Sequence, residues 1–288
     1  YTLTGNVKAD FNPADKPMVT FKLDMSKVDL RNLFPKTGED PATAEEVQQK
    51  AAAATGAPDL NDIPVNAEGT VTVKTLVYDN ITVSALSATM KAVNGKVELS
   101  PLTGNVWGGS FIVNGSISSK EGKLPAALKL NAANIKIDNI ISSFKVDKRM
   151  LSGDLTLNAD FTVDGLTMAD IRTSINGRGE YTFKNGIVHG IGYNPNILSL
   201  DTIRSFSLFS NEKQTQISDS KGSIVFENGR LTFNQLDLKS QYLNGNIKGG
   251  FMLSDLSMNF DGILNVESVE VPITLRGTLR DPQVSIEQ

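Results

Sequence analysis

The 288-residue chain contains no cysteine and only one histidine, His189. The first absence excludes disulfides and thiolate metal sites, and it is compatible with an oxidising compartment without requiring one. The second leaves an imidazole without a partner of its own kind for a metal site, so His189, between Val188 and Gly190, reads as structural and not catalytic. No stretch approaches the ~20 apolar residues of a membrane-spanning helix, and the N-terminus has no basic-then-apolar signal segment. A dense basic surface is missing too: 28 Lys and Arg stand against 32 Asp and Glu, and the net charge is -4, which argues against a nucleic-acid partner. Aromatic residues are 7% of the chain, with a single tryptophan, Trp107.

What is present is alternation. Leu155, Leu157, Ala159, Phe161 and Val163 interleave with Thr156, Asn158, Asp160, Thr162 and Asp164, the period of a strand with one apolar and one polar face. The same phase returns in Tyr181 and Phe183. Asn185-Gly186 then predicts a type I′ hairpin, with Ile187 opening the return strand. Six Asn-Gly dipeptides, at Asn94, Asn114, Asn176, Asn185, Asn228 and Asn244, punctuate such runs, and several are expected to be turns between short antiparallel strands. Tyr1 to Phe11 already alternates, so the chain is expected to begin inside a fold, as a fragment. With 40% hydrophobic residues, 21% charged and a mean hydropathy of -0.15, it reads as a water-soluble folded chain.

Two stretches break the pattern. Thr37 to Pro64 predicts an Ala-rich helix over about 40–56, capped by Asp40-Pro41 and stopped by Gly56 and Pro58. Asn194-Pro195 opens a second expected helix to about Phe206, followed by a polar loop from Ser207 to Lys221. A faint repeat joins the first half to the middle: Phe21 to Phe34 lies over Leu128 to Ile141 without a gap, predicting a strand and a half-helix in each copy. Residues 1–164 are therefore read as a repeated β segment with the helical insertion. Residues 165–288 are read as a β module with the helix at about 195–206, in one continuous elongated domain.

Few helices are available to cover some twenty one-faced strands, so the sheet must cover itself or be covered by something else. The plain solution is a closed β-sandwich, which periodicity alone favours. The other is a strongly curved antiparallel sheet forming an open groove, up to roughly 90 Å long at ~4.8 Å per strand. Its expected lining is Phe111, Val113, Phe161, Val163, Tyr181, Phe183, Phe226, Phe233, Phe251, Met258 and Phe260; the plain alternative for each is ordinary core. Enzyme chemistry finds no constellation. Gly177-Arg-Gly179 leads into a strand, not a helix N-terminus that could hold phosphate, and Asp160 and Asp164 sit on the polar face. Trp107 before Gly108-Gly109 reads as a packing anchor beside a bulge.

Four segments carry a resemblance. Gly95-Lys-Val-Glu-Leu-Ser-Pro-Leu-Thr-Gly-Asn-Val-Trp-Gly-Gly-Ser-Phe111 resembles a strand–Gly-Gly–strand element of the AsmA family of Gram-negative envelope proteins. The stretch from Ile175 to Ile191, Asn228-Gly229 with its flanking strands, and Leu275-Arg-Gly-Thr-Leu-Arg-Asp-Pro282 are similar to the family in the same order. The likeness covers most of residues 65–288 and, more loosely, 1–34. It implies an open β-groove that holds acyl chains of phospholipid or another lipid, a periplasmic location with an inner-membrane anchor, and a non-enzymatic part in phospholipid transport and outer-membrane assembly. A family-type N-terminal membrane helix does not occur in this sequence, and Asn185 stands where an Asp often precedes the glycine. The competing expectation is a structural scaffold with a closed β core that engages an envelope protein partner. Neither reading involves a cofactor, a metal or a catalytic residue.

Overall fold

The computed structural model describes residues 2–11, 16–30, 59–78, 80–143, 151–189, 214–240, 243–266 and 269–286. Sixteen strands run through them: β1 (Leu3–Asp10), β2 (Met18–Asp29), β3 (Asn66–Tyr78), β4 (Ile81–Val93), β5 (Lys96–Val106), β6 (Gly109–Ser118), β7 (Ala126–Lys136) and β8 (Leu151–Val163). They continue with β9 (Asn176–His189), β10 (Gln214–Ile217), β11 (Ser220–Glu227), β12 (Arg230–Lys239), β13 (Leu243–Met252), β14 (Met258–Val266), β15 (Val269–Gly277) and β16 (Pro282–Ile286). Two short helices interrupt them, α1 (Ile137–Ser143) between β7 and β8 and α2 (Met168–Ser174) between β8 and β9.

All sixteen strands belong to one sheet, whose order follows the chain from β1 to β9 and then from β11 to β16, with β10 attached to β9 beside that path. The sheet does not close into a barrel, because β1 and β16 lie at opposite ends of the order. The sandwich alternative is not realised, since no second sheet is present among the described residues. The count also corrects the expected length. Among the described residues fifteen strands lie in series, where some twenty were expected, and they give roughly 65–70 Å along the sheet at ~4.8 Å per strand. Every ladder is antiparallel except β2 with β3, which is parallel, so the expectation of antiparallel neighbours throughout fails at that one step.

Turn chemistry explains the chain-order topology. Asn94-Gly95, Trp107-Gly108, Glu121-Gly122 and Asn228-Gly229 each place two successive residues at positive φ, the requirement of a tight I′ connection that matches strand twist. Only two of the six Asn-Gly pairs are turns of this kind; those at 114, 176 and 244 lie inside strands. Asn185-Gly186 is a further correction. Asn185 alone has positive φ, at 53°, so the strand does not reverse, and β9 runs on to His189 past a bulge opposite Gly153. Trp107 is itself a turn residue, not an anchor beside a bulge.

The repeat is half visible. β2 ends at Asp29 and β7 at Lys136, the same offset as in the sequence alignment, and α1 follows β7 as expected. In the first copy Val28 and Asp29 are still strand, which shortens the predicted helical turn, and its remainder lies outside the described residues. The Ala-rich helix and the helix at 195–206 lie outside them as well. The polar loop expected over Ser207 to Lys221 contains β10 and the start of β11, held by pairing with β9. Helix α2 was not anticipated, although Thr167 and Asp170 form the capping pair that announces it. The Thr167 hydroxyl accepts from Asp170 N at 3.1 Å.

Candidate apolar groove

One register row crosses the sheet from edge to interior without a polar residue. It runs Val7, Phe21, Gly69, Met90, Leu99, Gly115, Leu128, Phe161, Gly177, Phe226, Leu231, Phe251, Met258, each directly opposite the next. The next residue along each strand points to the other face, where Lys129, Asp160 and Arg178 stand opposite one another. The sequence alternation therefore became one continuous apolar face. All eleven predicted lining residues lie on that face.

Aromatic residues on this face stand opposite glycines. Phe21 faces Gly69, Phe111 faces Gly104, Phe161 faces Gly177, Tyr181 faces Gly222, and Phe233 and Phe260 flank Gly249. A Cβ on Gly69 would stand 2.7 Å from the Phe21 ring, and one on Gly104 would stand 2.9 Å from that of Phe111. The rings therefore occupy the space that side chains would otherwise fill. That arrangement lets the sheet curl toward its apolar side, and register shifts in β4, β5, β7, β9 and β12 add curvature. In the Gly177-Arg-Gly179 stretch a Cβ on Gly177 would stand 2.7 Å from Phe161 Cβ, and one on Gly179 would stand 2.5 Å from Asn158 O. Phe161 and Phe226, two strands apart, meet over Gly177 with ring centroids 6.3 Å apart.

The predicted residues do not share one environment. Val163, Tyr181, Phe183, Met258 and Phe260 are buried, whereas Phe111, Val113, Phe161, Phe226, Phe233 and Phe251 are half-buried. From β8 to β14 the rings pack on one another: Tyr181 lies edge-on to Phe233 at 5.5 Å, and Phe251 to Phe260 at 5.0 Å. Each such pair adds about 0.5–1.5 kcal/mol beyond the area it buries. The Tyr181 hydroxyl reaches past Gly222 and donates to Gln235 O at 2.7 Å, satisfying a carbonyl exposed by the irregularity in β12. Burial pushes the Tyr181 pKa up, with Asp237 adding to the rise and Ser220 opposing it, so the phenol stays a neutral donor. Before β7 the only buried hydrophobic residues among those described are Val73 and Ala88. Phe21, Leu23, Met90, Leu99 and Leu102 are half-buried on the same face, residues that sequence reasoning did not single out.

The remaining candidates are accounted for by local ties. Ser152 Oγ lies 3.0 Å from His189 Nε2, joining β8 to β9. Asp160 pairs with Lys129 at 3.5 Å in water. Asp154 accepts from Lys136 and from Asn185 Nδ2, the latter at 2.7 Å, and these hydrogen bonds, Lys136 first, hold its carboxyl below the usual value. Among the described residues no group of three or more His, Cys, Asp or Glu is disposed to hold a metal ion. None of the described helices is long and apolar enough to cross a membrane.

The sequence model of the AsmA family matches residues 2–236, which include the whole apolar row as far as Leu231 and every strand from β1 to β11. The chain belongs to the AsmA family. The family is associated with the cell envelope. The AsmA match runs across the boundary drawn at residue 164, as does the ladder between β8 and β9. No curated protein and no solved structure matches the chain.

Proposed function

We propose that this AsmA-family chain holds or conducts the acyl chains of phospholipid or another lipid on its apolar sheet face, without catalysing a reaction. The observation that carries this reading is the uninterrupted apolar row, half-buried over β2 to β6 and opposed by no other layer of the described fold. Such a face gains about 25 cal/mol for each Å² removed from water, so an occupant that brings hydrocarbon is favoured. A chain moving along a continuous apolar path gives up little of its ~0.8 kcal/mol per buried CH₂ at each step, while a charged headgroup stays in water at the lip. Membership of an envelope-associated family fits a role in envelope lipid transport. On this reading the protein acts in the periplasm, tethered to the inner membrane, and contributes to outer-membrane assembly.

The test is mass spectrometry of organic extracts from pure protein. Stoichiometric phospholipid is expected from the natural sequence, and a large loss from a variant carrying Phe21→Asp, Leu99→Asp and Val113→Asp. Unchanged lipid in a variant whose circular dichroism is native would reject the reading.

A second reading, an interaction scaffold, draws on β1. This edge strand is exposed along its length, with Leu3 and Val7 each 66% exposed and Phe11, just past its end, 74%, and an edge of that kind invites pairing with an envelope protein partner.

A further inference from the structure

We propose that the acyl path ends at a wall made by Phe161 and Phe226 over Gly177, so that a bound chain lies across β2 to β7 and is kept off β8 to β14. The inference rests on the lipid reading above and locates the occupant within that face.

Three observations converge on the wall. First, ring contacts on the apolar face begin there, although beyond Val7 the row's own large residues are half-buried on both sides except Met258. From Phe21 to Leu128 its large residues are half-buried, and no ring contact among the described residues joins them. Beyond it, Tyr181, Phe233, Phe251 and Phe260 form a connected set of rings with centroids 5.0 to 6.5 Å apart, and Tyr181 and Phe260 are nearly sealed from water, at 3% and 4% exposure. Hydrocarbon entering that region would have to displace ring contacts already made, whereas over β2 to β7 no ring contact among the described residues stands in its way.

Second, the wall is buttressed from both sides. Ile175 and Val163 are buried beside it, Ile171 of α2 packs against the same cluster, and Leu253 folds back onto it from the turn between β13 and β14. Leu253 N donates to Gly229 O at 2.9 Å and Gly229 N to Ile175 O at 3.2 Å, so three turns are tied together behind the two rings. On the near side Ile117, Ala126 and Leu128 pack into the same cluster, and among the described residues no such cluster lies across β2 to β5.

Third, the space before the wall suits one chain. Six strands span roughly 24 Å at ~4.8 Å each, against ~15 Å for the hydrocarbon of one bilayer leaflet. The row over these strands offers Phe21, Gly69, Met90, Leu99, Gly115 and Leu128, none of which has a side-chain donor and of which only the Met90 thioether is a weak acceptor. That chemistry selects a hydrocarbon over a polypeptide, which would bring polar groups needing partners.

The absence of cysteine makes the test direct, because each introduced thiol is the only one. Leu99→Cys and Met90→Cys report on the section before the wall, Leu236→Cys and Ile247→Cys on the section beyond it, and Thr103→Cys on the polar face. Each variant is labelled with bimane and mixed with phosphatidylcholine brominated in the middle of its acyl chains. The expected result is loss of most emission at positions 90 and 99 and little change at 236, 247 and 103. In a Phe161→Ala, Phe226→Ala background that retains native circular dichroism, quenching is expected to spread to 236. Equal quenching at 99 and 236 in the natural background would overturn the wall while leaving the lipid reading intact. Quenching at none of the positions on the apolar face would overturn both, and the pattern in the natural background decides even if the double alanine variant fails to fold.

Discussion

Phe21 and Phe260 look toward the same side of the same sheet, each opposite a glycine of the neighbouring strand, yet their surroundings differ. Phe260 is 4% exposed, with Phe233 and Phe251 against it, while Phe21 is half-buried, and no ring contact reaches it among the described residues. The local grammar of apolar alternation and glycine relief is identical in the two sections. What separates them is ring packing: from β8 onward rings of neighbouring and next-nearest strands meet, and before β7 no ring contact is made among the described residues. The same alternation can therefore build a ring-packed core or a less packed face, and the placing of aromatic residues separates the two.

The strongest test of that contrast is a pair of truncations. Phe260→Ala is expected to cost roughly 3–5 kcal/mol, as for a buried ring, and Phe21→Ala clearly less, both read from urea denaturation. Equal losses would show that the two sections are packed alike. A smaller effect is expected at Gly249, which lies at φ 140° between Phe233 and Phe260, where an added Cβ would meet Asn259 O at 2.1 Å. Gly249→Ala is expected to lose about 1–3 kcal/mol by the same measurement. An unchanged midpoint would mean that glycine relief does not shape the ring-packed section.

The smallest effect concerns Asp154, where the two sections join through Lys136 on β7 and Asn185 on β9. Its pKa is lowered in the folded chain, chiefly by the hydrogen bond from Lys136, so its contribution to stability is present above the ordinary carboxylate value of ~4. That contribution is lost as pH falls through the folded value. Asp154→Asn is expected to lower the thermal midpoint at pH 7 and to make little difference at pH 2. A deficit of equal size at both pH values would point to lost packing instead of lost charge.

Much of this was legible because a strand's side-chain period is two. The alternation at Leu155 to Val163 settles which residues share a face whatever the partner strand does, and so all eleven lining candidates fell on one side. The choice between turn and bulge was not legible. Asn94-Gly95 reverses the chain and Asn185-Gly186 does not, and the difference lies in whether the second residue also takes positive φ, which pairing with β8 and β10 decides. Trp107-Gly108 and Glu121-Gly122 made tight turns without the favoured Asn, each followed by a glycine that accepts the left-handed conformation. The division of the face into ring-packed and less packed sections was hidden for another reason. It depends on distances between strands that are not adjacent, such as β8 and β11 across Gly177, and residue spacing along the chain carries no measure of those.

The order of strands has a thermodynamic consequence. Because nearly every strand lies beside its predecessor in the chain, cooperativity is transmitted stepwise, as in solenoids, and the molecule behaves as a ribbon whose stability is a sum of neighbour terms. Damage in such a ribbon stays local. Under denaturant it is expected to unzip inward from the margin at β1 while the ring-packed stretch persists, so protection of amide hydrogens from exchange would climb toward β9 and β11.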